Sequence, residues 1–565
     1  MLEKEFKNIR EVIKNSVEKY PDNNAFIIKN KDKTTYTYIT YTKMMDDINK
    51  LGTALIKLGF KDKRIAVIGK NRYEWAIGYY AVVNGLGIIV PLDKGLPKEE
   101  IELSLKRSKA DAIICEGTYV DTVNEIIKNG NTQIKMCISM DEVENTEEKI
   151  SMNLLLKQGE EELKNGNNEY LNLDIDNDAT NIILFTSGTT DLAKAVEMSH
   201  RNIASNINGL LEHERVYPTD VNMAFLPFHH TFGSTGLLYF MSVGATTVFC
   251  DGLKYVAKNL KEYKVSVFFC VPLIIEAMHK KVMQEIDKKG KTKVIKIGKV
   301  ISKFLLKFKI DIRRKIFKDV IDGLGGSIRF VISGAAAIDK QVALDFNDFG
   351  ILTVQGYGLT ETAPVLCAEN EYMLRAGSIG KPICNVQMKI DNPDENGIGE
   401  IIARGPNIMK GYYENEEATK KVLKNGWFHT GDLGYMDKDG YFYISGRDKN
   451  VIVLKNGKNI YPEELEILIS NLPYVSENFV FGMPKGDDLI VSAKIVYNKE
   501  YVKEHYPNKT ADELKEIIWK DIKEEVNSKL TNFKHIKHLI VTDEPMIKTT
   551  TNKIKRKEEM KKILA

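Results

Sequence analysis

Short apolar runs and helically spaced apolar residues take turns along most of this chain. Between residues 6 and 20, Phe6, Ile9, Val12, Ile13 and Val17 recur at helical spacing and stop at Tyr20-Pro21. Ala25 to Ile28 and Tyr36 to Tyr38 read as the strands of a hairpin. From Tyr41 to Val90, helical stretches alternate with runs such as Ile65 to Ile68 and Gly87 to Val90. The rhythm returns at Ala112 to Cys115, Thr246 to Phe249 and Val265 to Phe269. Strand–helix alternation of this kind predicts an α/β fold with parallel sheets covered by helices. There is no internal repeat and no low-complexity tract.

The pattern changes toward the C-terminus. Gly399 to Tyr413 and Tyr441 to Ile444 read as short strands with turns, a small β-rich subdomain. Past Gly446-Arg447-Asp448-Lys449, a polar, Gly-flanked junction, Val451 to Val453 and Leu489 to Val496 read as strands. Helical spacing appears around Glu463 to Leu472 and Ala511 to Leu530. A chain of 565 residues exceeds what one core serves, so at least two domains are expected. The boundaries predicted are a large N-terminal domain, 1–446, a junction at 447–449, and a smaller α+β domain, 450–565. Residues 160–178, rich in Glu, Asn and Asp, are expected to form a solvated connection. Residues 286–319 carry thirteen lysines and arginines interleaved with apolar residues and predict one or two basic amphipathic helices. Such a helix either packs on a core with a solvated lysine face or lies on an anionic membrane surface.

Net charge is only +3, which demands no nucleic-acid partner. The six cysteines (115, 137, 250, 270, 367 and 384) form no C-x-x-C pair, so neither a zinc site nor a disulfide framework is indicated. Buried free thiols are expected instead. The N-terminal MLEKEFKNIR is too charged for a signal peptide, and no apolar run approaches the roughly 20 residues that span a bilayer. A cytoplasmic location is the expectation, with peripheral contact at the inner membrane surface through 286–319 as its extension.

The most informative stretch for chemistry is FTSGTTDLAKAV, Phe185 to Val196. The apolar run Ile182 to Phe185 opens into Thr186, Ser187, Gly188, Thr189 and Thr190, with Lys194 close behind. Small residues let backbone N–H groups approach anionic oxygens, and the hydroxyls add donors. The spacing is not that of a Walker loop, and an ordinary Ser/Thr turn between two strands is the plainer reading.

Further motifs follow in order: QGYGLTET (355–362), WFHTGDLG (427–434), GRDKNVIVLKNGKNIYPEELE (446–466) and IKTTTNKIKR (547–556). Together with the loop they resemble the adenylate-forming (AMP-binding) superfamily, nearest to fatty acyl-CoA synthetases, across about Phe26 to Arg556. The resemblance implies ATP, Mg²⁺ and CoA, and activation of a carboxylic acid through an acyl-adenylate. It implies that Thr186, Ser187, Gly188, Thr189, Thr190 and Lys194 hold phosphates, and that Glu361 holds magnesium with Thr186 as a second ligand. It places Gly334, Ala335, Ala336, Gln355, Gly356, Tyr357, Gly358 and Thr360 around the nucleotide, with Gly356 and Gly358 leaving room for a flat base. Asp432 and Arg447 fall on the ribose, Lys553 on the substrate carboxylate and α-phosphate, and His230 at the mouth of the acyl pocket with His229 as the weaker neighbour. Lys449 falls on the superfamily's hinge and Gly457 on its thiol channel.

Several positions depart from the superfamily pattern. Asp191 and Ala195 replace loop glycines, Ala193 replaces a proline, Asn552 replaces a glycine and Ile547 stands where proline is common. An alanine resists positive φ, so Ala195 puts nucleotide binding in question. Thr231 to Tyr239 contains no acid, which argues against an amino-acid substrate. Two alternatives stay open. One is an acyl-AMP ligase loading a separate acyl carrier protein. The other is a weakly active or non-catalytic membrane-surface protein that keeps the fold.

Overall fold

The computed structural model describes residues 5–186, 193–455, 458–486, 488–548 and 553–564. The chain divides into two compact units. The first comprises residues 1–186, 194–388 and 403–428, and the second 187–193, 389–402 and 429–565.

Two sheets organise the first unit. One runs, in spatial order, Gly411–Tyr412, Ala195–Ser199, Thr180–Phe185, Gly87–Leu92, Lys63–Ile68, Ala112–Cys115, Met136–Ser139 and Lys149–Ser151. The other runs Lys381–Pro382, Val365–Ala368, Leu352–Gly358, Phe330–Ser333, Val267–Cys270, Val221–Ala224, Thr246–Phe249, Asn24–Lys29 and Tyr36–Thr40. Their central strands are parallel, as the alternation predicts. The predicted hairpin is present, with Ile28 opposite Thr37. Ala112–Cys115, Val267–Cys270 and Phe330–Ser333 are buried at every residue. That burial is why they read as unbroken apolar runs rather than alternating ones. Helix Tyr73–Val83 is buried except at Glu74, and Thr231–Ser242 is buried except at Phe232. Helices apolar on all sides are interior helices. Other helices are set by their caps: the Thr40 and Ser199 side chains each accept a first-turn N–H.

The connection expected at 160–178 is more ordered than its composition suggests. Helix Met152–Lys164 takes its first residues, and a Cβ at Gly159 would sit 1.8 Å from the Lys50 carbonyl oxygen. Tyr170 is buried and donates its hydroxyl to Ala81 O at 2.9 Å, and the Arg10 guanidinium donates to Leu173 O at 2.5 Å. One aromatic and one backbone tie, hidden among polar residues, fix the segment. Gly411–Tyr412 also departs from expectation, because it pairs with Ala195–Ser199 of the first unit rather than with the β-rich strands.

The β-rich strands Gln387–Asp391, Gly399–Arg404, Trp427–Met436 and Phe442–Arg447 pair in that order, and most of their residues fall in the second unit. It also contains a sheet of Val475–Lys485, Asp488–Tyr497 and His538–Thr542. Helices Pro462–Ser470 and Ala511–Asp521 bury Leu465, Ile469 and Ile518 with Val480 and Ile495 of that sheet. The helix predicted from Ala511 to Leu530 ends at Asp521 and continues as wider and tighter turns over Ile522–Val526 and Asn527–Lys529. Cys115, Cys137, Cys270 and Cys367 are buried free thiols, while Cys250 is half-buried and Cys384 exposed. No described helix is long and apolar enough to cross a membrane.

Candidate functional site

The loop that opens after Phe185 joins two antiparallel strands, with Phe185 opposite Ala195. Thr186 closes its base: its N–H donates to Lys194 O at 2.9 Å and its hydroxyl to the same oxygen at 3.3 Å. Ser187, Gly188, Thr189 and Thr190, with Asp191, lie outside the described residues. Ala195, where the superfamily has glycine, begins the strand Ala195–Ser199 and is buried. Its conformation is extended, so the methyl group meets no positive φ and the expected handicap does not arise.

The ammonium of Lys194 lies 4.5 Å from the centre of the Tyr412 ring, a cation–π contact. The Tyr412 hydroxyl donates to Glu361 Oε1 at 2.9 Å. The base of the loop and Glu361 are thereby joined through one aromatic residue that sequence reading missed. Tyr412 is delivered by the two-residue strand Gly411–Tyr412. Flanking hydrogen bonds, Met409 N to Glu361 O and Tyr413 N to Ala195 O, clamp both sides. Burial, and then the neighbouring Glu361 carboxylate, push the Tyr412 phenol well above its ordinary pKa, so it stays a donor. No local pattern announces this residue; its role comes from strand pairing.

Gly334 follows Phe330–Ser333, and Gly356 follows the adjacent register position Gln355, opposite Ser333. The two small-residue segments therefore leave the sheet side by side, and a Cβ at Gly334 would lie 3.6 Å from Gly356 O. Ala335 sits at φ +70°, a left-handed conformation an alanine adopts at a cost, and both Ala335 and Ala336 are exposed. Tyr357 is buried in strand Leu352–Gly358. Gly356 does leave space, with nothing nearer than 3.7 Å to an added Cβ. Gly358 does not: its Cβ would stand 1.8 Å from the Pro364 carbonyl oxygen, so this glycine serves chain packing rather than clearing room for a base. Gln355 spends its side chain on the backbone, accepting from Ile338 N at 2.8 Å and donating to Ser378 O at 3.0 Å. It is a brace for the loop after Ser333. Its own N–H donates to Glu369, whose carboxyl burial pushes up to about 7. Thr360 opens the short turn Thr360–Thr362 that presents Glu361.

His230 immediately precedes helix Thr231–Ser242, and its carbonyl accepts from Gly233 N and Ser234 N. The more enclosed ring is that of His229, whose Nε2 lies 3.5 Å from Asp93 Oδ1. Asp93, His229 and His230 bring one ligand atom each within 4.8 Å of one another. Asp93, far off in sequence, was not anticipated. Beyond Phe232, an apolar cavity of about 10 Å³ is lined by Leu226, Phe228, Phe232, Leu237, Phe240 and Phe269. Phe269 stacks against Phe232 and tilts against Phe240 at ring distances of 5.5 and 4.8 Å. No carboxylate lines it.

In the second unit, Asp432 and Arg447 face each other across paired strands. Arg447 Nε donates to Asp432 Oδ1 at 2.6 Å, with Asp432 buried and Arg447 partly exposed. Asp432 is thus a residue of strand Trp427–Met436. Thr430 fixes the approach, its hydroxyl donating to Ile401 O and accepting from Asp432 N. Lys449 lies exposed in the turn Asp448–Asn450, and Gly457 falls outside the described residues. Lys553 is exposed, directly before a bridge between Ile554 and Lys548. The residues that follow it are held: Ile554 packs with Phe479 and Phe481, and Arg556 pairs with Glu466 at 2.5 Å.

The residue pattern of the AMP-binding enzyme family matches residues 13–413, and that of the AMP-binding enzyme C-terminal domain matches 449–563. The chain is 29% identical over 511 residues to long chain acyl-CoA synthetase 4 of Arabidopsis thaliana, covering 84% of this chain and 76% of that protein. It is 25% identical over 629 residues to a chloroplastic long-chain-fatty-acid–[acyl-carrier-protein] ligase of the same plant, covering 98% and 85%. An anthranilate CoA ligase solved with anthranoyl-AMP shares the fold at a TM-score of 0.77 and 20% identity, covering 99% of this chain and 98% of its own.

Proposed function

This chain belongs to the AMP-binding enzyme family, and from that premise we propose that it is an ATP-dependent acyl-CoA synthetase acting on a fatty or related carboxylic acid. The substrate carboxylate attacks the α-phosphorus of ATP and expels pyrophosphate, leaving an acyl-adenylate. The CoA thiol then attacks the acyl carbonyl and AMP leaves. The first step joins two anions, so it needs positioned positive charge and hydrogen-bond donors more than a protein nucleophile.

The observation that carries this reading is the linked set Thr186, Lys194, Tyr412 and Glu361. It combines the first hydroxyl residue of the loop, a cation and a half-buried carboxylate, groups of the kind that triphosphate binding uses. Tyr412 occupies one oxygen of Glu361, orienting a hard oxygen donor of the kind Mg²⁺ takes alongside phosphate oxygens and water. When bound there, Mg²⁺ would neutralise phosphate charge. Tyr357 and the Gly334–Ala336 segment receive the base, and Gln355 holds that segment in place. Asp432, an acceptor-only group, takes the ribose hydroxyls, with Arg447 donating beside it. Lys553 stabilises the charge that develops during adenylation. His230 lies at the start of the helix whose Phe232, Leu237 and Phe240 line the small acid-free, aromatic cavity, and that apolar lining supports an acyl substrate. Residues 1–446 form the AMP-binding domain, 450–565 the C-terminal domain, and Lys449 the hinge between them, with Gly457 in the thiol path. One relative named for loading acyl carrier protein keeps a carrier acceptor as the second reading.

Pyrophosphate release over a panel of carboxylic acids, with and without CoA, tests the assignment. AMP formation that requires CoA is expected with an aliphatic acid. Turnover only with acyl carrier protein would move the acceptor to the second reading. Silence with every acid would overturn the activity altogether.

A further inference from the structure

Helix Thr292–Leu306 presents its polar side to the protein and its apolar side to solvent. Inward, Ser302 and Gly298 are buried, and a Cβ at Gly298 would touch Ile316 and Phe317 at 3.0 and 3.2 Å. Ile295 packs on the core beside them. Lys299 reaches Asp345 at 2.5 Å, and Lys303 reaches Asp348 at 2.9 Å, so ion pairs anchor this face. The outward face carries Val294 at 64% exposure, Ile297 at 60%, Val300 at 69%, Phe304 at 58% and, just past the helix, Phe308 at 63%. The Phe304 and Phe308 rings meet edge to face at 5.3 Å, making one continuous aromatic surface.

Scattered exposed apolar residues need no explanation, but a contiguous set does. Seven of the exposed large apolar side chains among the described residues fall between 294 and 310. Lysines surround them. Lys293, Lys296, Lys307 and Lys309 are exposed and make no ion pair among the described residues. Between 286 and 319, thirteen lysines and arginines stand against three aspartates. A chain whose total charge is only +3 therefore concentrates its positive charge around its most exposed apolar stripe. A second copy of this chain would bring a like-charged patch against it, whereas an anionic lipid surface complements it.

We propose that this stripe docks the enzyme on an anionic bilayer, with Ile297, Val300, Phe304 and Phe308 entering the headgroup boundary and Lys293, Lys296, Lys307 and Lys309 meeting lipid phosphates. The helix lies in the interface plane, since it is amphipathic and too short to span. The proposal stands apart from the catalytic reading and does not use its residues.

Co-sedimentation of the full chain with vesicles tests it, using phosphatidylcholine alone and phosphatidylcholine mixed with phosphatidylglycerol. The parent chain should pellet with the mixed vesicles, and less so at high salt. Changing Lys293, Lys296, Lys307 and Lys309 together to Gln should weaken binding by about 100-fold or more, at roughly fivefold per lysine. Phe304→Ser with Phe308→Ser should leave the protein in the supernatant. Far-UV circular dichroism and adenylation activity should match the parent in both variants, because these side chains contribute little to the core. A parent chain that stays in solution with the mixed vesicles would overturn the proposal. So would a phenylalanine variant that pellets as the parent does. A parent dimer that the phenylalanine changes convert to a monomer, without vesicle binding, would assign the stripe to a second copy instead.

Discussion

Glu361 and Tyr412 stand 51 residues apart and meet only because Gly411–Tyr412 zips onto the strand that follows the loop. Asp432 and Arg447 meet across one hairpin, a local pairing set by the strands that carry them. The first cluster depends on the packing of a whole unit, and the second on one turn of chain. In the proposed reaction the long-range cluster would supply charge and oxygen donors to a triphosphate, where small misplacements are costly. The local pair supplies a buried acceptor suited to a sugar, which needs only one rigid hairpin.

Breaking the long-range cluster at its carboxylate should have the largest effect. Glu361→Gln keeps the shape and the hydrogen bond from Tyr412 but removes the charge. Adenylation should fall by about 10²–10³-fold, measured as acyl-AMP formation, with the melting temperature nearly unchanged. The local pair should respond differently. Asp432→Asn leaves Arg447 facing a neutral amide and should raise the KM for ATP by about 10- to 100-fold, with a smaller change in kcat. A fall in kcat alone would remove Asp432 from nucleotide binding. Tyr412→Phe sharpens the comparison further. The ring stays beneath Lys194 and only the hydroxyl is lost, so adenylation should drop about tenfold, the value of one hydrogen bond to a charged group. Tyr412→Ala, which also removes the ring, should lose more; equal losses would mean that the cation–π contact is idle.

The smallest effect concerns pH. The Glu369 carboxyl, which accepts from Gln355 N, is raised from 4.5 to about 7 by burial. The folded state then holds this proton more tightly than the unfolded chain. Its contribution to stability is fully present below about 4.5 and is lost as pH rises through about 7. Thermal melts between pH 5 and 8 should show a falling melting temperature, and Glu369→Gln should flatten that slope while lowering stability overall, since the two carboxyl oxygens accept from Gln355 N and Arg375 N and an amide keeps only one acceptor. An equally steep slope in the variant would place the titration elsewhere.

The sheets, their parallel centre and the C-terminal unit were legible because strands buried on both faces leave unbroken apolar runs. Glu361, Lys194, Asp432, Arg447 and Lys553 are candidates because they sit in short motifs with fixed spacing, and their roles rest on that pattern. Tyr412 and Asp93 were not, since their places come from strand pairing and from packing beside His229. Gly358 was misread because a missing Cβ looks the same in sequence whether it admits a ligand or a carbonyl such as that of Pro364. The stripe from Val294 to Phe308 was visible as an amphipathic pattern, but only solvent exposure distinguishes an outward apolar face from an inward one.

The central claim is that these charged groups serve the displacement at phosphorus and not the later transfer to thiol. Lys553→Ala, assayed separately for acyl-adenylate formation and for thioester formation from supplied acyl-adenylate, addresses it most directly. The account predicts that the first rate falls by about 10²-fold or more while the second stays within about twofold. Equal loss of both would contradict it.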